Sequence, residues 1–249
     1  KDNRYAKKIK EKKEVFRSVI NFYMEKGKFI AISGMVGDLV SAGEISFTED
    51  RELLTELMSE QGGDSILKIL IANKKLSRHD EKGKAYIDSL IGSALKEYPD
   101  RAARLVIVCL ESGEMSYASD KELVKKIFRK CLDDGHSWVV HEMISALIDD
   151  STIDIVTLKR MIKTFVYRRG GKICPEQLIV KMLDKGMLRY SADKAMLDEF
   201  IQGMIRKAYI ESTVRIISKL LELGEINYFT NGKVLDKWNK MYNDRMEQW

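Results

Sequence analysis

A few groupings in this chain carry residue types that could do chemistry. His136 and His141, with Cys131 before them and Glu142 after, are metal-ligating types. Ligands on one helix face need a spacing of three or four residues, and these histidines are five apart; zinc also demands four well-placed donors. The spacing therefore predicts no metal site, and nothing else in the chain asks for a cofactor. Asp133-Asp134 and Asp149-Asp150 are paired carboxylates, but each pair falls at a predicted helix end and is assigned no acid–base role. Ser33-Gly34-Met35-Val36-Gly37 holds two glycines of the kind that cradle phosphates. A phosphate loop needs more glycines, a lysine and a preceding strand, whereas this stretch lies inside a helical pattern, so close helix packing is the expectation. Gly170-Gly171-Lys172 reads as a helix end. No Ser/His/Asp or Cys/His arrangement is readable. The chain is expected to be no enzyme, with no catalytic residue.

The elements that position these residues are short helices in pairs. In 100–135, Leu105, Val106, Cys109 and Leu110 recur at helical spacing and end at Ser112-Gly113. Glycine reaches the left-handed conformation that closes a helix. Ser119-Asp120-Lys121-Glu122 fits a capping box, a hydroxyl with a glutamate three residues on. Leu123, Val124, Ile127, Phe128, Cys131 and Leu132 then form one apolar stripe that Gly135 ends.

The same unit recurs along the chain. A leading helix over 1–27 carries Val15, Phe16, Val19 and Ile20. Repeats follow at 28–62, 63–99, 100–135, 136–170, 171–208 and 209–249, with Thr48 and Ser191 as further expected N-caps. The closing positions Gly27, Gly62, Pro99, Gly135 and Gly170 are 35, 37, 36 and 35 apart. The turns inside the hairpins align on Ile45, Leu76, Met115, Ile153, Leu188 and Ile226. A period near 36 with two helices per unit predicts an all-α chain, an α-solenoid in which stacked neighbours complete each other's core. Trp138 is expected to pack between hairpins, and the methionines at 143, 161, 182, 196, 204 and 241 to fill the core. The leading helix matches a second helix with no first, which predicts a fragment of a longer array and an open end capable of self-association through Val15, Phe16, Val19 and Ile20.

Composition sets the remaining bounds. No apolar run reaches the roughly 18 residues of a membrane helix, so no membrane partner is expected. Three cysteines, Cys109, Cys131 and Cys174, make no paired framework, which points to an intracellular, reducing setting, cytoplasmic or nuclear. The net charge of +5 is uneven: residues 1–28 sum to +6 and the rest to −1. The basic front holds Lys7, Lys8, Lys10, Lys12 and Lys13, a candidate anion or nucleic-acid patch.

The hairpins Arg104–Gly113 with Leu123–Gly135, and Val214–Gly224 with Val234–Arg245, resemble the helical-hairpin repeats of the tetratricopeptide and pentatricopeptide superfamily. The pentatricopeptide resemblance implies single-stranded RNA read one base per repeat. The implied reading positions hold Gly34, Ser65, Arg104, Glu142, Gln177 and Arg215, of which Ser65 alone is the usual type. The near-neutral body also offers no continuous basic track, where RNA binding draws most of its affinity. The leading expectation is therefore a scaffold that binds a protein or peptide partner on a concave face lined by first helices. Its candidate residues are Arg104, Glu142, Gln177, Lys181, Arg215 and Lys219. A pentatricopeptide-like RNA-binding module is the alternative.

Overall fold

A computed structural model describes residues 14–16, 18–23, 25–59, 62–168, 175–207 and 209–247. Among them there is no strand, and the fold class is all-α. Helical residues at 14–16, 18–23 and 25 are followed by α1 (Phe29–Ser41), α2 (Arg51–Ser59), α3 (Gly63–Ala72), α4 (Glu81–Glu97) and α5 (Pro99–Glu111). Then come α6 (Tyr117–Asp134), α7 (Ser137–Asp149), α8 (Ile155–Arg168), α9 (Glu176–Asp184), α10 (Tyr190–Arg206), α11 (Ile210–Glu222) and α12 (Tyr228–Met246). Lys7, Lys8, Lys10, Lys12, Lys13, Cys174 and the Gly170-Gly171-Lys172 stretch lie outside the described residues.

The chain forms two compact units, 1–115 and 116–249. In the first, α1, α3 and α5 pack in succession, α2 packs on α4, and each of α2 and α4 also packs on the helix that follows it. In the second, α7, α9 and α11 pack in succession and α10 packs on α12. There α6 lies on α7, α7 on α8, and α10 on α11. Alternate helices therefore stack within each unit, which covers the apolar stripes that a lone hairpin would leave wet. Leu67, Leu70, Ile87 and Ile91 are fully covered in the first unit; Ile127, Met143, Ile144 and Leu147 are in the second. Cys109 and Cys131 are buried and form no disulfide with each other.

The turns between paired helices share a buried anchor, and four of the six share one closure. Ile45, Leu76, Met115, Ile153, Leu188 and Ile226 are all buried. In four of the turns the residue just before this anchor donates its N–H five residues back, Glu44 to Leu39, Lys75 to Leu70, Met187 to Met182 and Glu225 to Leu220. That is the Schellman closure, and it needs a left-handed residue just before the donor. Gly43, Gly186 and Gly224 supply it with φ of 72°, 65° and 68°, while in the second turn Lys74 takes φ 53°.

Several helix starts differ from the sequence reading. Ser116, not Ser119, caps α6 and accepts from the Ser119 N–H at 3.3 Å. Before α2, Ser46 and Asp50 form the start in place of Thr48: the Ser46 N–H donates to Asp50 Oδ2 and the Glu49 N–H to Ser46 Oγ, both at 3.1 Å. Before α10, the Arg189 N–H donates to Asp193 Oδ2 at 3.1 Å, and the helix begins at Tyr190, ahead of Ser191. A carboxylate four residues on closes the turn from the far side, a device that a search for hydroxyls misses. Trp138 does not pack between hairpins. It is 63% exposed, because it shares a helix face with Glu142, Ser145 and Asp149 and not the Val139, Val140, Met143 and Leu147 face. Gly37 does permit close packing, since a Cβ there would meet Ile69 Cδ1 at 3.1 Å; Gly34 has open space instead. On the leading helix Ile20 is buried and Val15 exposed.

Lys74 occupies a backbone conformation that costs an L-residue energy and costs glycine little. Lys74→Gly is expected to raise the unfolding free energy by about 0.5–1 kcal/mol, read as a later urea midpoint at unchanged slope. A loss of stability would show that the lysine side chain contributes more than its backbone costs.

Candidate partner-binding site

The face proposed from sequence is built on the first helices of the second unit. Glu142 lies on α7, Gln177 and Lys181 on α9, and Arg215 and Lys219 on α11, three helices packed in succession. Arg104 lies on α5 in the first unit. The structure thus brings five of the six candidates onto adjoining helices. It also shows what three of them touch.

Lys181 Nζ donates to the Ser145 carbonyl at 2.8 Å, to Ser145 Oγ at 2.9 Å and to Asp149 Oδ2 at 2.5 Å. Lys185 reaches the other oxygen of Asp149 at 2.6 Å. Burial alone would raise the Asp149 carboxyl; the hydrogen bonds from Lys181 and Lys185 override it and hold the group below its ordinary value. On α11, which packs on α9, Lys219 lies 2.6 Å from Asp184 and 3.0 Å from Glu222. These two carboxylates hold the ammonium above its usual value against a smaller effect of burial. Arg215 Nη1 lies 3.5 Å from Glu176 Oε1, whose second oxygen accepts from Ser212 Oγ at 3.2 Å. The cations therefore tie each first helix to its predecessor. Arg104, Glu142 and Gln177 make no side-chain hydrogen bond or ion pair among the described residues, and Gln177 is exposed.

His141 sits beside this row, its ring 6.4 Å from both Trp138 and Phe165. Burial, with the charge of Lys181 second, pushes its pKa below the ordinary 6.5. His136, His141 and Cys131 form no metal-binding group, and no such cluster exists among the described residues.

The turns hold a second set of residues that the sequence reading passed over. Glu114 Oε2 accepts from the Arg78 N–H at 2.5 Å and from Ser77 Oγ at 3.0 Å. Asp150 Oδ2 accepts from the Tyr117 N–H at 2.5 Å, and Thr152 Oγ1 from the Ala118 N–H at 3.0 Å. Glu225 Oε2 accepts from the Tyr190 N–H at 2.8 Å. In each case an acid in one turn reaches back one hairpin, across 36, 33 and 35 residues. Asp150 and Glu225 meet the first N–H of α6 and α10, at the positive end of a helix whose first N–H groups lack partners; Glu114 holds the Ser77-Arg78 turn that leads into the Asp80 cap of α4. A readable signal existed: Gly-Glu before the anchor at 43–44, 113–114 and 224–225, and tyrosine two residues after it at 117, 190 and 228.

Those tyrosines differ in one respect. Tyr190 and Tyr228 donate to the carboxylate eight residues on, Asp198 at 2.9 Å and Asp236 at 3.0 Å. Eight residues after Tyr117 stands Lys125, and the buried Tyr117 hydroxyl has no hydrogen-bond partner.

No protein-family model matches this chain, and neither a curated protein nor a solved structure matches it.

Two outcomes follow for this region. Tyr190→Phe is expected to cost about 1 kcal/mol, while Tyr117→Phe costs nothing or stabilises, because it removes an unsatisfied buried hydroxyl; paired urea melts read both. For His141, the depressed folded pKa means that its contribution to stability is complete above 6.5 and is lost as the pH falls through the lower folded value. Thermal melts of wild type should therefore drop more between neutral and mildly acidic pH than those of His141→Gln. Parallel curves would remove His141 as the source.

Proposed function

We propose that this chain is a non-enzymatic helical-repeat scaffold, an α-solenoid of about six hairpins, whose first helices bind a protein or peptide partner. The period near 36 in the sequence, the stacking of alternate helices inside each unit and the repeated turn closure support the array. A single observation favours a protein partner over RNA: the cations of the first-helix row are neutralised by carboxylates of the same unit. Lys181 and Lys185 meet Asp149, Lys219 meets Asp184, and Arg215 meets Glu176. A polyanion draws its affinity from cations free to replace its counterions. A face of alternating signs with an exposed Gln177 suits side-chain recognition between proteins, in which charge complementarity sets register and specificity. Among the described residues no helix is long and apolar enough to cross a membrane.

The test has two arms. Labelled random-sequence single-stranded RNA should give no anisotropy change at low salt; a signal that falls steeply with salt would replace this reading by the RNA-binding one. A photo-crosslinker placed at Gln177 should trap a protein partner in cell extract, and Arg215→Glu should reduce the yield. Trapping that is indifferent to the Arg215 change would move the partner off this face.

A further inference from the structure

A crevice of about 460 Å³ lies between α6 and α8 in the second unit, on the second helices and away from the row of first-helix cations. Its lining is of two kinds. Phe128, Leu132 and Met161 give it an apolar floor. Lys125 and Arg129 of α6 and Arg160 of α8 bring three cations to it, against the single carboxylate of Asp133, which is engaged in an interaction of its own.

These cations stand apart from their neighbours on the same helix. Lys159 and Lys163 of α8 pair with Asp193 and Glu199 of α10, at 2.6 and 3.5 Å. Arg160 makes no ion pair among the described residues, and neither does Arg129. Lys125 meets only the exposed Glu122 on its own helix, at 3.3 Å. The Tyr117 hydroxyl, without an acceptor, belongs to the same lining. Elsewhere in this unit Tyr190 and Tyr228 donate to Asp198 and Asp236. At the crevice Arg129 and Arg160 present two guanidinium groups with no carboxylate partner among the described residues, which an incoming anion would satisfy.

We propose that this crevice is a docking groove for an acidic peptide segment, one that carries a large apolar side chain beside its carboxylates. The carboxylate sits between Arg129 and Arg160, whose guanidinium forks match its geometry. The apolar side chain enters the crevice over its floor of Phe128, Leu132 and Met161. Two arguments favour a peptide over other anions. The lining runs along α6 from Tyr117 to Asp133, roughly 24 Å of helix, which a strand of about seven residues spans and a small metabolite does not. Tyr117 and Phe128 are 2% and 5% exposed, so neither ring offers the open face on which a nucleobase stacks. The proposal does not rest on the first-helix reading, since none of its residues lies on α7, α9 or α11.

The test is an array of heptapeptides in which glutamate or aspartate alternates with leucine or phenylalanine, probed with the full chain. A subset should bind with Kd below about 100 µM. Arg129→Glu with Arg160→Glu should weaken those peptides by about tenfold or more. Arg129→Gln with Arg160→Gln keeps the side-chain length and serves if the double charge reversal does not fold; circular dichroism decides which pair is used. The first-helix variant Arg215→Glu should leave the same peptides bound, which separates this groove from the other face. The proposal is overturned if no peptide of the array binds, or if binding survives both arginine pairs. It is also overturned if inorganic phosphate alone displaces the peptides at about its own millimolar affinity, which would make the crevice a small-anion site. RNA bound through the same arginines would overturn it in favour of a nucleic acid.

Discussion

The first N–H groups of a helix have no partner inside that helix, and a chain made of many short helices has many such ends. This fold answers the problem by sharing. Ser46, Ser116, Asp154 and Asn227 serve the starts of their own helices, and the turn of the next hairpin adds a carboxylate from outside at Glu114, Asp150 and Glu225. A turn acid can do this only if the hairpin that carries it is stacked in register on its predecessor. The bond therefore links the start of one helix to the packing of the next hairpin, and it recurs across 36, 33 and 35 residues.

Apolar stacking supplies the larger share of the driving force and little of the register, because hydrophobic contact is non-directional. The anchors Ile45, Leu76, Met115, Ile153, Leu188 and Ile226 fix how deep each turn is buried. The turn carboxylates, together with ion pairs such as Lys159–Asp193 and Lys181–Asp149, fix which residue meets which. Exposed ion pairs add little net stability, and their use here is geometric. They also consume charge. A lysine bound to its neighbour's aspartate is a weaker lure for a polyanion than its count in the sequence suggests, so the first-helix face is read as one for side-chain recognition.

The departures from the repeat are as informative as the repeat. Lys74 stands where other turns carry glycine, and Lys125 stands where Asp198 and Asp236 receive a tyrosine hydroxyl in later repeats. The second departure leaves the Tyr117 hydroxyl without an acceptor, beside a crevice that also holds Arg129 and Arg160, unpaired among the described residues; those two guanidinium groups are the physical basis for expecting an external carboxylate.

The sequence alone determined the helices and their rhythm. Apolar spacing, the closing glycines and the buried turn anchors are local properties, legible because helix periodicity and left-handed turns depend on residues a few positions apart. It also named the polar residues of α7, α9 and α11 that come to lie on adjoining helices. It misjudged Trp138, which one position of helical phase sends outward, and the starts at Ser46, Ser116 and Arg189, where a downstream or distant carboxylate competes with the expected hydroxyl. Only the tertiary structure decided that Lys181, Arg215 and Lys219 are partnered, that Asp150 and Glu225 cap helices one hairpin back while Glu114 holds the turn before one, and that Arg129, Arg160 and Tyr117 border one crevice. Those outcomes depend on groups more than thirty residues apart meeting at hydrogen-bond distance. No local pattern encodes that meeting; the stacking of whole hairpins produces it.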